Sequence, residues 1–445
     1  MSGLPKLVLI QPPLSDPNYP GVPFRFEPLS LLAVAAATPK DLFEVRIIDG
    51  TESVDTADLV DPSAALVGIT VVEATAKAAY RIAGRYRELK IPVVLGGTHI
   101  TLDPEDATGK ADALVVGEIE EGWREVLLDA RTGRLKPRYA FAAPESIDLE
   151  MDRGIIPDYA RQYRFISAIQ TTRGCPNSCV FCVPSVCYGR RIRHRPVSSV
   201  VAEVSRLKTE YGRKFIGFTD DNLTADRKYS EELFRALIPL KIRWASQVCI
   251  DVAKDEKLLD LAVKSGCIGL FVGLESPRQE ALNEAGKEYR AGEYHELLSR
   301  IRARGIAVIA SFTIGYDTDD DSVYDDILEF CRKEEIEFPL FVSLMAYKGL
   351  PLYDRLKKQG RQMFEHEAIH PLVTNFALAR MDRAAMPGRM IEMYTKYYTI
   401  GYVLRNLWRS VIRLNLLKTL QFLMVLFFYA RFAREMRSGR FATSV

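Results

Sequence analysis

The chain has 445 residues, long enough for two or three domains, with hydrophobic residues at 48% and charged residues at 27%, an ordinary balance for a globular protein. Its formal net charge of +2 argues against a nucleic-acid footprint spread over the whole surface. Seven cysteines, an odd number with no secretory signal ahead of them, argue against a disulfide framework. The opening Met1-Ser-Gly-Leu-Pro-Lys runs straight into a strand-like stretch and sets the expectation of a cytoplasmic protein.

In the first third, short β-branched runs (Leu7 to Ile10, Val45 to Ile48, Leu66 to Val72, Val93 to Leu95, Ala113 to Val116) alternate with amphipathic segments such as Leu29 to Ala37 and Ala74 to Leu89. Strand and helix at this rhythm predict an α/β fold built on a doubly wound, Rossmann-like parallel sheet. Such sheets take ligands beyond the carboxyl ends of their strands, which here carry Gln11, Asp49, Thr70, the run Gly96-Gly97-Thr98-His99, and Gly117-Glu118. No G-x-G-x-x-G opens a helix, so a nicotinamide or flavin site is a weak reading. Residues 136–163, with Pro137, Pro144 and Pro157, read as a linker.

The middle of the chain, 164–360, repeats strand and helix: Phe165 to Gln170, Phe215 to Phe218, Trp244 to Cys249, Gly269 to Val272, Ala307 to Phe312 and Leu340 to Leu344. The first of these strands delivers Thr172-Arg-Gly-Cys-Pro-Asn-Ser-Cys-Val-Phe-Cys, in which Cys175, Cys179 and Cys182 are spaced C-x3-C-x2-C. Three thiolates so close can hold three corners of a cubane iron-sulfur cluster and leave the fourth iron open for chemistry. A zinc site with Cys187 as fourth ligand is the alternative, although zinc knuckles usually come as paired C-x2-C or mixed Cys/His sets. Cys187, Cys249, Cys267 and Cys331 are scattered and read as buried small hydrophobes.

The cysteine spacing, Phe181 and the Arg-Gly before Cys175 resemble the signature of the radical S-adenosylmethionine (SAM) enzymes. The resemblance implies a partial (βα)6 TIM-type barrel, a 4Fe-4S cluster on Cys175, Cys179 and Cys182, and SAM on the open iron, cleaved to a 5'-deoxyadenosyl radical. It further implies that Phe181 packs near cluster and adenine, and that Asp220, Asp221 and Asn222, then Glu275 and Ser276, then Gly315, each at a strand end, hold SAM. For the acidic residues a helix N-cap or a solvated loop is the plain alternative.

The first 135 residues resemble the cobalamin-binding domain fused ahead of many radical SAM enzymes, through Glu27-Pro-Leu-Ser-Leu-Leu, Val94-Leu-Gly-Gly-Thr-His and Ala111-Asp-Ala-Leu-Val-Val-Gly-Glu. The resemblance implies cobalamin at Gln11, Asp49, Thr70, Gly96, Gly97, Thr98, His99, Gly117 and Glu118. The D-x-H-x-x-G motif that places a histidine on cobalt is absent, so cobalamin without a histidine lower ligand is expected. A sheet that has lost its ligand is the plain alternative.

The basic run Arg190-Arg-Ile-Arg-His-Arg195 reads as a solvated or domain-bridging stretch rather than an RNA site. Residues 361–445 form an expected helical region. From Met393 to Met436 it is apolar and aromatic, with Arg405, Arg409, Arg413, Lys418, Arg431 and Arg434 along it. That composition fits either a monotopic helix at the inner membrane face or a helix packed on the barrel. The order of domains and the tail look like those of the hopanoid methylases and the anaerobic oxidative cyclase of chlorophyll synthesis. This implies methyl transfer from methylcobalamin to an unactivated carbon of a small hydrophobic substrate, a polycyclic lipid, a tetrapyrrole or a natural product, with an electron donor such as flavodoxin or ferredoxin and no nucleic acid. Oxidative cyclisation or rearrangement with the same cofactors is the alternative within the enzyme class, and a non-catalytic cobalamin sensor or scaffold is the alternative outside it.

Overall fold

The structure is a computed structural model describing residues 3–14, 25–53, 55–364, 370–399, 401–402 and 404. Its first sheet contains β1 (Lys6–Gln11), β2 (Glu44–Asp49), β3 (Leu66–Thr70), β4 (Val93–Gly96), β5 (Ala113–Gly117) and β6 (Arg138–Phe141), all parallel, in the order β2-β1-β3-β4-β5-β6. The strand order reverses direction between β1 and β3, the kind of switch point that opens a crevice at the carboxyl ends. Strand β6 falls inside the stretch expected as linker, where its short run Arg-Tyr-Ala-Phe carries no sequence signal of a buried strand.

Strand β1 shows why the sheet is doubly wound. Its successive side chains alternate faces: Leu7 and Leu9 join the core of α1 (Leu29–Ala37), whereas Val8 and Ile10 join that of α2 (Ala76–Glu88). A strand covered on both sides reads as an unbroken apolar run. Two further helices complete the layers, α3 (Thr98–Leu102) and α4 (Trp123–Arg131).

The second part opens with β7 (Ser167–Ile169), followed by a hairpin of β8 (Thr172–Arg173) and β9 (Arg193–His194). Strands β10 (Phe215–Phe218), β11 (Arg243–Val248), β12 (Cys267–Glu275), β13 (Ala307–Ile314) and β14 (Phe338–Ser343) then join β7 in a parallel sheet ordered β14-β13-β12-β11-β10-β7. The order is monotonic and β7 is not paired with β14, so the six (βα) units make an open, partial barrel, as expected.

The two sheets share one core. Leu9, Trp123 and Met151 lie in the same buried cluster as Ile169, Phe218 and Trp244. A buried polar network crosses the seam: Arg153 donates to Glu27 at 2.7 Å, to Glu203 at 2.6 Å and to the Ala168 carbonyl at 2.7 Å, and Arg195 donates to Glu203 at 2.5 Å. Glu27 also accepts from the Tyr159 hydroxyl at 2.5 Å and the Ala168 amide at 3.1 Å. Buried ion networks add little net stability but fix which surfaces meet. The Glu27-Pro-Leu-Ser motif thus seats the first sheet on β7.

The helix Met386–Tyr397 packs on the second sheet, with Met390, Met393, Tyr394 and Tyr397 buried and the Tyr394 hydroxyl donating to the Phe341 carbonyl at 2.9 Å. The start of the apolar tail is therefore core. Arg405, Arg409, Arg413, Lys418, Arg431 and Arg434 lie outside the described residues. Among the described residues no helix is long and apolar enough to cross a membrane.

Candidate active site

The cysteine loop hangs from the β8–β9 hairpin, and its anchors are local. Gly174 has φ +96, and a Cβ there would lie 2.4 Å from the Arg191 carbonyl, so the hairpin closes at this point only with glycine. Asp220, at the end of β10, is fully buried and gathers the start of the loop on one oxygen: the Thr171 amide at 2.9 Å, the Thr171 and Thr172 hydroxyls at 3.0 and 2.8 Å, and the Thr172 amide. Val180 donates to the Ala285 carbonyl at 3.1 Å, tying the middle of the loop to the element after β12.

Cys175 and Cys179 are buried and Cys182 is partly buried. Burial raises all three thiols, Cys179 to about 11, so metal-free they stay protonated. Among the described residues no three His, Cys, Asp or Glu side chains converge on a single ion. A cubane takes each thiolate on a different iron, and three cysteines on one anchored loop fit that demand. Cys187, the candidate fourth zinc ligand, instead points its sulfur to the Thr98 carbonyl at 3.9 Å in the first domain.

Around the loop, the barrel strand ends supply the predicted SAM residues. Asp221 keeps a buried oxygen without a partner, and burial together with Asp220 pushes its carboxyl up to about 6. Asn222 donates to the Cys249 sulfur at 3.2 Å. Glu275 sits at a register shift ending β12 with φ +63, a left-handed conformation costly for a residue with a side chain. It is held by the Thr313 hydroxyl at 2.7 Å and the Lys287 ammonium at 3.1 Å. Ser276 accepts from the Arg278 amide at 3.1 Å, and Gly315 donates to Asp319 at 2.9 Å. Phe181 packs edge-on to Tyr316 at 6.4 Å. Asp220 differs from its neighbours, because one of its oxygens is committed to the loop.

Sequence reasoning missed two groups here. Lys287 is buried against its own charge, yet Glu275 and Tyr289 hold it protonated well above the usual lysine range, and its field reaches all three cluster cysteines. A lysine twelve residues past a strand end carries no local signal. Cys249 receives the Asn177 amide at 2.9 Å as well as that of Asn222, so it belongs to the cluster surroundings and is not a plain hydrophobe. Its place at the end of β11 is the signal that could have found it.

A cavity of about 350 Å³ lies beneath the loop, between the first sheet and α1. Of the residues expected to face a ligand there, Thr70, Gly96, Gly97, Thr98, Gly117 and Glu118 line it. Gly97 has φ +108, and a Cβ would stand 2.5 Å from the Val71 carbonyl. Three expected residues are not brought to the cavity. Gln11 uses its carbonyl to accept from the Gly50 amide at 2.8 Å. Asp49 is bound by Arg25 at 2.9 Å and by the Tyr163 hydroxyl. His99, in α3, does not line the cavity, its Nε2 lying 3.0 Å from Asp106 and 3.1 Å from the Tyr80 hydroxyl. No histidine lines the cavity among the described residues, and its small and apolar walls, with Gly68, Gly96 and Gly97 on one side and Leu29, Ala33 and Val34 on the other, fit a bulky ligand inserting an arm between sheet and helix.

Three arginines of the basic run are tied to other parts of the chain: Arg190 donates to the Pro176 carbonyl at 3.0 Å, Arg193 to Glu118 at 2.7 Å and Arg195 to Glu203 at 2.5 Å.

Comparison with known proteins agrees with this geometry. The radical SAM superfamily pattern matches residues 169–331, and the B12 binding domain pattern matches residues 21–127. The bacteriochlorophyllide d C-12(1)-methyltransferase of Chlorobaculum tepidum is 28% identical over 341 residues, covering 75% of this chain and 74% of its own. The hopanoid C-2 methylase of Rhodopseudomonas palustris is 26% identical over 399 residues, covering 85% and 75%. Among solved structures, the radical SAM methyltransferase TsrM of Kitasatospora setae shares the fold with a TM-score of 0.67 at 19% identity, covering 80% of this chain and 78% of that one. A B12-binding sheet, a radical SAM barrel and a three-cysteine loop between them place the chain in the cobalamin-binding-domain-containing radical SAM enzyme family.

Proposed function

We propose that the protein methylates an unactivated carbon of a small hydrophobic substrate, a tetrapyrrole or polycyclic lipid by the kinship of its relatives. The observation that carries this reading is that the cysteine loop itself walls the cavity: Cys187 and Tyr188 line it together with Gly97 and Glu118. When bound, the cluster and SAM supply a 5'-deoxyadenosyl radical and the corrinoid supplies a methyl group.

The chain's own residues place and shield these groups. Cys175, Cys179 and Cys182 hold the cluster. Phe181, Asp221, Asn222, Glu275, Ser276 and Gly315 surround SAM, with Lys287 balancing the Glu275 charge, and Asp220 orients the loop. Thr70, Gly96, Gly97, Thr98 and Gly117, which line the cavity, would cradle the corrinoid. The division of labour runs over residues 1–141, a crossing at 142–163, the barrel at 164–360 and the region 361–445. A small redox protein delivers the electron, and the apolar sequence after residue 404, with basic residues along it, has a composition suited to a membrane face.

The test uses protein reconstituted with iron, sulfide and hydroxocobalamin, given SAM labelled in its methyl group, a reductant and a panel of tetrapyrroles and hopanoids. Labelled methyl in a product supports the reading. A product that has lost hydrogen and gained no label defeats it in favour of cyclisation.

A further inference from the structure

We propose that Glu118 is a positioning residue that latches the cluster loop onto the corrinoid cavity and so couples the occupancy of the two sites. The inference rests on the corrinoid placement proposed above.

Glu118 follows the last residue of β5 and lines the cavity, as expected, and both its oxygens are bound by the hairpin that bears the cysteines. Arg193 grips it with a fork, Nη2 to Oε1 at 2.7 Å and Nη1 to Oε2 at 2.8 Å, and Arg173 donates to Oε2 at 2.5 Å. The two arginines face each other across the hairpin, Arg173 paired with Arg193, at the points where the loop leaves and returns. Arg173 also reaches Glu120 at 2.6 Å and lies 5.5 Å from the Tyr188 ring centre. The Arg193 and Glu118 side chains are each only 4% exposed.

Two cations and two carboxylates therefore balance within a sealed seam, and the same loop carries Cys187 and Tyr188 into the cavity wall. A cluster held by Cys175, Cys179 and Cys182 would cross-link the loop between those two arginines. A cross-linked loop presents its wall already ordered, while a cluster-free loop must be ordered when the corrinoid binds. Linkage makes the effect reciprocal.

The experiment measures hydroxocobalamin affinity by corrin absorbance for the full chain with and without its cluster. Wild-type protein should bind about tenfold tighter when the cluster is present, within the roughly 5- to 150-fold range of such couplings. In Glu118→Gln, which keeps the shape and loses the charge, the two affinities should come within about twofold. A residue that merely supports the fold would weaken both forms alike and leave the tenfold ratio intact, and that result overturns the proposal. Equal affinities in the wild type also overturn it. Should Glu118→Gln fail to fold by circular dichroism, Arg193→Lys carries the same expectation, since an ammonium cannot reproduce the fork. Wild-type protein that takes up no hydroxocobalamin at all refutes the corrinoid reading itself, a result distinct from normal uptake without coupling.

Discussion

Arg153 is the hub of the seam, and its removal gives a quantity that can be worked from the structure. Its side chain is 3% exposed, and its partners Glu27 and Glu203 are 0% and 2% exposed. In Arg153→Met, Glu203 keeps Arg195, but Glu27 retains only the Tyr159 hydroxyl and the Ala168 amide, neither of which carries charge. Breaking a buried pair by deleting one partner costs about 3–5 kcal/mol, because the survivor is left charged and dry. At about 2–4 °C per kcal/mol for a unit of 150–250 residues, the melting temperature should fall by about 6–20 °C. Thermal unfolding followed by circular dichroism reads the shift. The double variant Glu27→Gln with Arg153→Met removes both charges and should recover most of the loss, leaving about 1–2 kcal/mol of lost hydrogen bonding. A single variant within about 2 °C of wild type, or a double variant no better than the single, would refute the account of the seam.

Replacing Cys175, Cys179 or Cys182 with Ala should abolish bound iron, its visible absorbance and 5'-deoxyadenosine formation, while Cys187→Ala should leave bound iron unchanged; iron analysis separates the two. Gly97→Ala, with its Cβ 2.5 Å from the Val71 carbonyl, should cost about 1–3 kcal/mol and lower hydroxocobalamin retention after desalting. Burial pushes the Asp319 carboxyl up to about 6, against the amides of Gly315 and Tyr316. The folded protein then holds a proton that the unfolded chain has already shed, so Asp319 makes stability fall as pH rises from about 4 to about 6 and stay level above. The stability of wild type relative to Asp319→Asn should drop by about 2 kcal/mol between pH 4.5 and 7 in urea titrations; a difference constant with pH would rule this out. Truncation after residue 404 should reduce liposome binding, whereas truncation before Met393 should destabilise the barrel, seen as a lower melting temperature, because Tyr394 and Tyr397 are core.

The strands of both sheets were legible because a strand buried on two faces must be apolar at every position, as Leu7 to Ile10 and Val93 to Leu95 are. Strand β6 was not, since an edge strand needs only one covered face and Arg138 and Ala140 are exposed. The cysteine loop was legible because cluster ligation requires adjacent thiolates in one short segment. The roles of Asp49, His99 and Glu118 were not: each stands at the end of a strand where ligands bind, yet each is bound by other side chains of the protein.

What the sequence by itself determined is chemistry that lies within a few neighbouring residues and periodicity that repeats along one element: the cluster loop, the strand ends and the order of the two sheets. Only the tertiary structure decided which of those strand-end residues face a cavity and which serve as fasteners. The physical reason is that a carboxylate carries the same charge in either role, and its function is set by whether the arginine that neutralises it arrives from fifty residues away.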